Sequence, residues 1–439
     1  MVNFNHLRLW LTPGMRVKRF IVVAACGLLL VMAGIIGVLL WLGQEERRVI
    51  ARPIEAVLVG DTWQRWGGWF SLLVMVGGLV LAANAIVWLN RSLLSNWLPK
   101  PRDAAVVLHR KLSLSRGPRI VALGGGSGLS NLLRGLKLYS SNLTAVVTAS
   151  DDGGSSGRLR SAFDMPAPGD LNDCLAALSD SESQVSNLLE YRFTRGGELK
   201  GHTFGNLFIT TLTEVEGDFA QAIRALNNLL NIRGAVYPVT PVPVQLKFIK
   251  RSGLCVSGES QVRESAGAIK SVCIEPQNPA VVPEVALAIQ KAQLVVLGPG
   301  SLFTSTIPPL LVPETRAALA SSQAPVVYVC NIMTEVGETD DFSAWDHVEA
   351  LKEHLGRYPD LVIVNASDIE PERLRRYQAE GAKVVTLDKS RFDKAGVNVV
   401  GLPILGHGLF AQHDSAALAQ WLIKFSKLNG KLRRQETLS

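Results

Sequence analysis

The stretch from 120 to 160, IVALGGGSGLSNLLRGLKLYSSNLTAVVTASDDGGSSGRLR, constrains the fold more than any other part of the chain. A short apolar run, 120–123, meets Gly124, Gly125, Gly126, Ser127 and Gly128. A helical segment follows, with Leu132, Leu133 and Leu136 on one side. A second apolar run, 144–149, ends at Asp151 and Asp152, ahead of another glycine–serine turn. The periodicity predicts strand, turn, helix, strand and acidic turn. A parallel α/β domain begins a nucleotide site in this way.

The alternation continues to the end of the chain. Helices are expected at 171–178, 185–191 and 284–291, and after the turn GHTFGN. Asp218 and Gln221 start another, with Phe219, Ile223, Leu226 and Leu230 as its apolar stripe. The proline-rich YPVTPVPV ends that helical region. A hairpin is expected over 244–249 and 253–256, and further strands at 272–274, 294–297, 326–330 and 361–364. Ser343 and Asp346 cap a helix, and a last helix starts near Asp414. The expected fold is α/β, a Rossmann-like, mostly parallel sheet with helices on both faces, preceded by two transmembrane helices.

Those two helices come from uncharged apolar runs at 20–43 and 67–90, 24 residues each. Each is long enough to cross a hydrocarbon core of about 30 Å at about 1.5 Å per residue. The first has a basic lead-in but exceeds a signal-peptide core, and a second span follows, so an uncleaved anchor is expected. Trp41, Trp69, Trp88 and Trp97 lie near the span ends, where amphipathic rings favour the interface. Basic residues precede the first span (Arg8, Arg16, Lys18, Arg19) and follow the second (Arg91, Lys100, Arg102). The loop between holds four arginines against four acids. The positive-inside rule then gives a multi-pass protein of the bacterial cytoplasmic membrane, with the N-terminus and the soluble domain in the cytoplasm. The domain plan is an anchor at 1–98, a basic linker at 99–118 and the α/β domain at 119–439.

Charge follows the same division. Residues 1–119 hold 15 Lys+Arg and 5 Asp+Glu, whereas the remainder holds 30 and 33. Basic charge confined to the anchor suits anionic lipid headgroups and speaks against a nucleic-acid partner. Five scattered cysteines without a CxxC, and seven histidines without HxxxH or HExxH, give no zinc site and suit free thiols.

Chemistry is expected at the carboxyl ends of the strands. Backbone N–H groups at Gly124 to Gly128 can approach a phosphate, and a following helix N-terminus favours its charge. The same turn is also consistent with tight packing alone, since Leu129 breaks G-x-G-x-x-G and the P-loop lysine is missing. Asp151 and Asp152 could hold ribose hydroxyls or a divalent metal, or be a solvated pair. Gly153, Gly154, Ser155, Ser156 and Gly157 match G-x-S-x-G, with no obvious histidine partner. Arg158 and Arg160 could meet phosphate or solvent. His202, with Thr203 and Asn206, is either an acid/base group or one satisfying local backbone. Gly298, Pro299, Gly300 and Ser301 repeat the glycine–serine pattern at a later strand end. Glu338, Thr339 and Asp340 are read as capping the next helix in preference to binding a cation.

Eight motifs in order, GGGSGLSNLLRGLK, TASDDGGSSGRLR, PGDLNDCLAAL, GHTFGNLF, VSGES, LGPGSLFTS, VCNIMTEVGETDD and DHVEALKEHLG, resemble the YvcK/CofD-like family, its YvcK branch most closely. The resemblance covers Arg119 to about Lys427. It implies a Rossmann-like core that binds UDP-N-acetylglucosamine and influences carbon metabolism, cell-wall synthesis and cell shape. Related CofD enzymes transfer a phospholactyl group from a nucleoside-diphosphate-linked donor with Mg²⁺. The implied nucleotide-binding residues are Gly124, Gly125, Gly126, Ser127, Gly128, Asp151, Asp152, Ser155, Asn206, Gly300, Ser301 and Tyr377. Asp151 and Asp152 are the implied Mg²⁺ ligands. A position usually basic in the YvcK branch resembles Gln412 here. The implied partners are a UDP-sugar and, through the hairpin, membrane lipids; homo-oligomerisation and protein partners are left open.

Overall fold

The computed structural model describes residues 17–47, 61–94, 104–180 and 182–436. The chain divides into two compact units, Met1–Lys111 and Leu112–Ser439.

The first unit is a helical hairpin of α1 (Val17–Arg47) and α2 (Asp61–Leu94). Within it, Arg19–Leu42 and Trp66–Ser92 are long and apolar enough to cross a membrane. Small residues form the seam. Gly27 and Gly34 on α1, and Ser71, Gly78 and Ala85 on α2, are buried at a spacing of one heptad. A Cβ on Gly78 would stand 2.6 Å from the Gly27 carbonyl, and one on Gly34 2.7 Å from Met75. Leu29, Met32, Leu39, Phe70 and Leu73 face outward instead. Arg8, Arg16, Trp97, Lys100 and Arg102 lie outside the described residues. The segment read as a linker carries a helix, α3 (Ala104–Ser115), because AVVLHRKLSL runs without glycine or proline.

The second unit is built on a seven-stranded sheet, with every neighbouring pair parallel. Its strands are β1 (Ile120–Gly124), β2 (Leu143–Val147) and β3 (Ala235–Pro238), then β7 (Leu294–Leu297), β8 (Val326–Val329), β9 (Leu361–Asn365) and β10 (Val399–Leu402). The order β10-β9-β8-β7-β1-β2-β3 reverses direction between β1 and β7, the switch point of a doubly wound fold. Alternate residues feed opposite faces, as the two-residue period requires. Val121, Leu123, Val295, Leu297, Val326 and Tyr328 join one core, while Ile120, Ala122, Leu294, Val296, Val327 and Val329 join the other. Burial on both faces explains why these strands read as continuous apolar runs.

The second core is closed by α4 (Gly126–Leu136), α6 (Gly169–Leu178) and the helix Ser415–Glu436; α5 (Gly154–Phe163) lies between α4 and α6 in the chain. The helix Phe204–Glu216 begins at Thr203, whose side chain accepts the Asn206 N–H. Phe219, Ile223 and Leu226 of the next helix are buried, with Asp218 accepting the Gln221 N–H. The expected hairpin is present as β4 (Gln245–Lys250) and β5 (Cys255–Ser257). With β6 (Ile269–Glu275) it forms a separate antiparallel sheet, packed into the first core. Two strands escape the sequence reading. β3 ends in Pro238, inside the proline-rich stretch taken as a break, and proline is tolerated there because β3 is an edge strand. β10 forms the other edge, and with Gly401 inside it and its residues only partly buried it makes no continuous apolar run. The second glycine–serine turn is mostly helix, since α5 starts at Gly154, whose φ of 53° turns the chain into it.

Candidate functional site

The turns after β1 and β7 meet at the switch point, where no side-chain carbon fits between them. A Cβ on Gly128 would lie 2.5 Å from the Pro299 carbonyl, and one on Gly300 3.2 Å from the Gly125 carbonyl. Gly126 adopts φ 61° as α4 begins beside the gap, and the first N–H groups of that helix have no helical partner, the Gly126 N–H going to Asp170. Above this floor is a cavity of about 320 Å³, bordered by Gly125, Gly126, Ser127, Gly128, Gly300 and Ser301. Its size falls at the small end of cofactor and ligand pockets.

Two flanks rise from the floor. On the β2 side stand Asp151, Asp170 and Glu259. Asp170 lies in the first turn of α6, pressed on the glycine turn: a Cβ on Gly125 would come within 2.3 Å of its Oδ2. Asp170 borders the cavity, yet protein surrounds it closely. Burial first, then Glu259, Asp173 and Asp151, push its pKa up to about 8, against a hydrogen bond from the Gly126 N–H. On the β8 side stand Asn331, Ile332, Met333, Thr334 and Glu335, with Tyr377, Gln412 and His413 behind them. Glu335 accepts from Ser301 Oγ at 2.5 Å and from Asn331 Nδ2 at 2.9 Å. The Tyr377 hydroxyl accepts the Ala411 N–H at 2.9 Å, and Arg373, one helical turn earlier, donates to the Gly406 carbonyl. One helix thus holds both sides of the loop from 406 to 412. His413 is buried, which pushes its pKa down to about 4 and keeps it neutral. Four carboxylates border the cavity, and among the described residues no Lys or Arg does.

The structure therefore gathers Gly125, Gly126, Ser127, Gly128, Asp151, Gly300, Ser301 and Tyr377 around one cavity, with Gly124 closing β1 beneath them. Gln412 borders it too. Asp152, Ser155 and Asn206 lie off the lining. Asp152 Oδ1 accepts from Ser260 N at 3.0 Å and from Ser260 Oγ at 2.9 Å. Asn206 Nδ2 donates to Ser155 Oγ at 3.1 Å and Ser156 Oγ at 3.2 Å. Ser155 also meets His202 Nδ1 at 2.9 Å, a histidine partner that sequence spacing hides. Burial, then Arg158 and Arg192, hold the His202 pKa below its ordinary value. Arg160 donates to the Ser150 and Val244 carbonyls, and Arg158 to the Lys200 carbonyl. Glu338, Thr339 and Asp340 do not cap the next helix; Ser343 and Asp346 form its capping box, and Glu338 is buried, accepting from Thr304 Oγ1 at 3.4 Å.

Sequence reasoning missed Asp170, Glu259 and Glu335 as cavity residues. Each lies inside a motif quoted above, PGDLNDC, VSGES and VCNIMTE, but nothing local marks the carboxylate as facing β1. Among the described residues no three His, Cys, Asp or Glu side chains form a ready-made metal cage.

The fold and this site define a doubly wound α/β protein with a ligand cavity at its switch point. The profile of the family described as "2-phospho-L-lactate transferase CofD" matches residues 120–405. The chain is 41% identical over 316 residues to the "Gluconeogenesis factor" of Bacillus subtilis, covering 72% of this chain and all of that protein. It is 44% identical over 433 residues to a Deinococcus radiodurans protein called "Putative gluconeogenesis factor", covering 96% of this chain and 90% of the relative. A crystal structure of a Bacillus halodurans protein superposes with a TM-score of 0.68 at 38% identity, over 70% of this chain and 100% of that one. The chain belongs to the CofD family, in its gluconeogenesis-factor (YvcK-like) branch.

Proposed function

We infer that the switch-point cavity binds a nucleoside-diphosphate-linked sugar of the UDP-N-acetylglucosamine kind, and that the protein is a membrane-anchored sensor coupling carbon supply to envelope growth and cell shape. The observation that carries the reading is the pair of interlocked glycine turns at the start of α4, a floor of backbone N–H groups suited to a diphosphate. The relatives' names support a role in carbon metabolism. The two long apolar helices, with their large side chains outward, support the anchor.

A diphosphate entering a cavity with four carboxylates and no basic lining residue calls for a divalent cation such as Mg²⁺. Asp151 and Asp170, with Glu259 beside them, are oxygen donors of the right chemistry, and a cation would offset the burial, and after it the neighbouring acids, that raise the Asp170 pKa. With no complete protein cage, the ion would be shared with the phosphate oxygens. Asp152, tied to Ser260, is a weaker candidate than Asp170. When bound, the ion supplies charge neutralisation of the diphosphate. The same donor set favours a second reading, a Mg²⁺-dependent transferase acting on a nucleoside-diphosphate-linked donor.

Calorimetry of the full chain in detergent with UDP-N-acetylglucosamine, with and without Mg²⁺, tests both. Saturable binding without turnover supports the sensor. Release of nucleoside monophosphate that disappears in Asp170→Asn moves the assignment to the transferase. No heat at millimolar ligand would end the nucleotide-sugar reading.

A further inference from the structure

We propose that Glu335 is a specificity-determining residue that accepts the hydroxyl groups of the ligand's ribose, so that the nucleoside end points toward β8 and β9 and away from β2. The inference rests on the nucleoside-diphosphate reading above.

In a dinucleotide site of this topology, the ribose is held by an acid after β2. In this chain that position is taken up otherwise. Asp152 is bound to Ser260, and Asp151 Oδ1 accepts the Gly153 N–H at 2.9 Å. Asp151 also stands with Asp170 and Glu259, and a cluster of acidic oxygen donors suits a cation near the phosphates better than a neutral diol. Glu335 has different surroundings. Ser301 and Asn331 are neutral donors to it and orient the carboxylate. Ser301 belongs to the glycine turn that forms the phosphate floor, so Glu335 stands one hydrogen bond from the place where a ribose must follow a phosphate. Ile332, Met333 and Tyr377 border the same flank and offer apolar and aromatic surface to a planar base.

Glu335 is also held rigidly. Its N–H donates to Thr339 Oγ1 at 2.9 Å, and the Thr339 N–H returns to the Glu335 carbonyl at 2.9 Å. Lys250, buried on β4, donates to the Gly337 carbonyl in the same turn, and to those of Val262, Ser265 and Gly267. A carboxylate fixed this way can discriminate, because the analogue lacking a hydroxyl leaves it unmatched.

The test is calorimetry of the full chain in detergent with Mg²⁺, comparing UDP with 2′-deoxy-UDP. The wild type is expected to bind UDP about tenfold or more tightly than its deoxy analogue. Glu335→Gln, with its fold checked by thermal melting, is expected to lose most of that gap, and Ser301→Ala part of it. Asp151→Asn is expected to weaken both ligands and leave the gap standing. Equal binding of the two ligands by the wild type overturns the proposal while the nucleotide reading survives, as does a gap that persists in Glu335→Gln. Binding of neither ligand by the wild type overturns the nucleotide reading and this proposal together.

Discussion

The hairpin and the α/β unit are packed by opposite rules. In the hairpin, glycine, serine and alanine fill the seam, while leucines, phenylalanine and tryptophans point outward. In the α/β unit the large side chains are inside, including Tyr328, Phe248 and Phe303, and glycine serves the turns around the cavity. Removing apolar surface from water drives the second arrangement. It does not account for the first, where close backbone approach and dispersion between small residues hold the helices. A hairpin packed this way is suited to an apolar solvent, and the α/β unit to water.

The largest expected effect comes from placing charge on the outward face of the hairpin. Leu29→Asp with Leu79→Asp should move the protein out of the membrane fraction on cell fractionation, since each aspartate at mid-span costs roughly 2.5–3.5 kcal/mol on insertion. Unchanged fractionation would mean that those leucines do not face lipid, and the contrast between the two units would collapse. In the α/β unit the sensitive positions are the glycines. Gly128→Val, with a Cβ set 2.5 Å from the Pro299 carbonyl, should lower stability by about 1–3 kcal/mol and abolish nucleotide binding, read by thermal melting and calorimetry. A variant that melts and binds like the wild type would show that the two turns can part.

The most local effect is a pH dependence confined to the cavity. The Asp170 pKa is about 8 in the folded protein against an ordinary 3.8, so the folded state holds its proton more tightly than the unfolded chain. Its contribution to stability is intact below about pH 4 and is lost as pH rises through about 8. Asp170→Asn should therefore raise the melting temperature by an amount that grows between those limits and then levels off. Mg²⁺-dependent ligand binding should strengthen over the same range in the wild type, because the carboxylate must ionise to meet a cation. A melting difference that is flat with pH would place Asp170 in open water.

Legibility differed between the units for physical reasons. A membrane-length apolar run is a local property, so 20–43 and 67–90 declared the two helices. The glycine turns after β1 and β7 were legible because backbone conformation at a turn depends on the residue there. The polar flanks were not. Asp151 and Asp152 are neighbours in sequence, yet one borders the cavity and the other binds Ser260. Ser155 and Asn206 were expected beside the glycine turns, but they pair with each other between α5 and the helix Phe204–Glu216, which carry them. Tyr377 could be carried over by resemblance alone; the structure adds that its hydroxyl fixes the loop bearing Gln412.

The sequence by itself determined the strand-and-helix alternation, the two glycine turns and the apolar hairpin, because each is encoded by neighbours a few residues apart. Tertiary structure alone decided which carboxylates share the cavity. Asp170, Glu259 and Glu335 arrive on α6, on the helix after β5 and on the turn after β8, and only the reversal of strand order between β1 and β7 brings those elements to one rim. The interaction that makes them a site is electrostatic and long in sequence, so no local pattern could carry it.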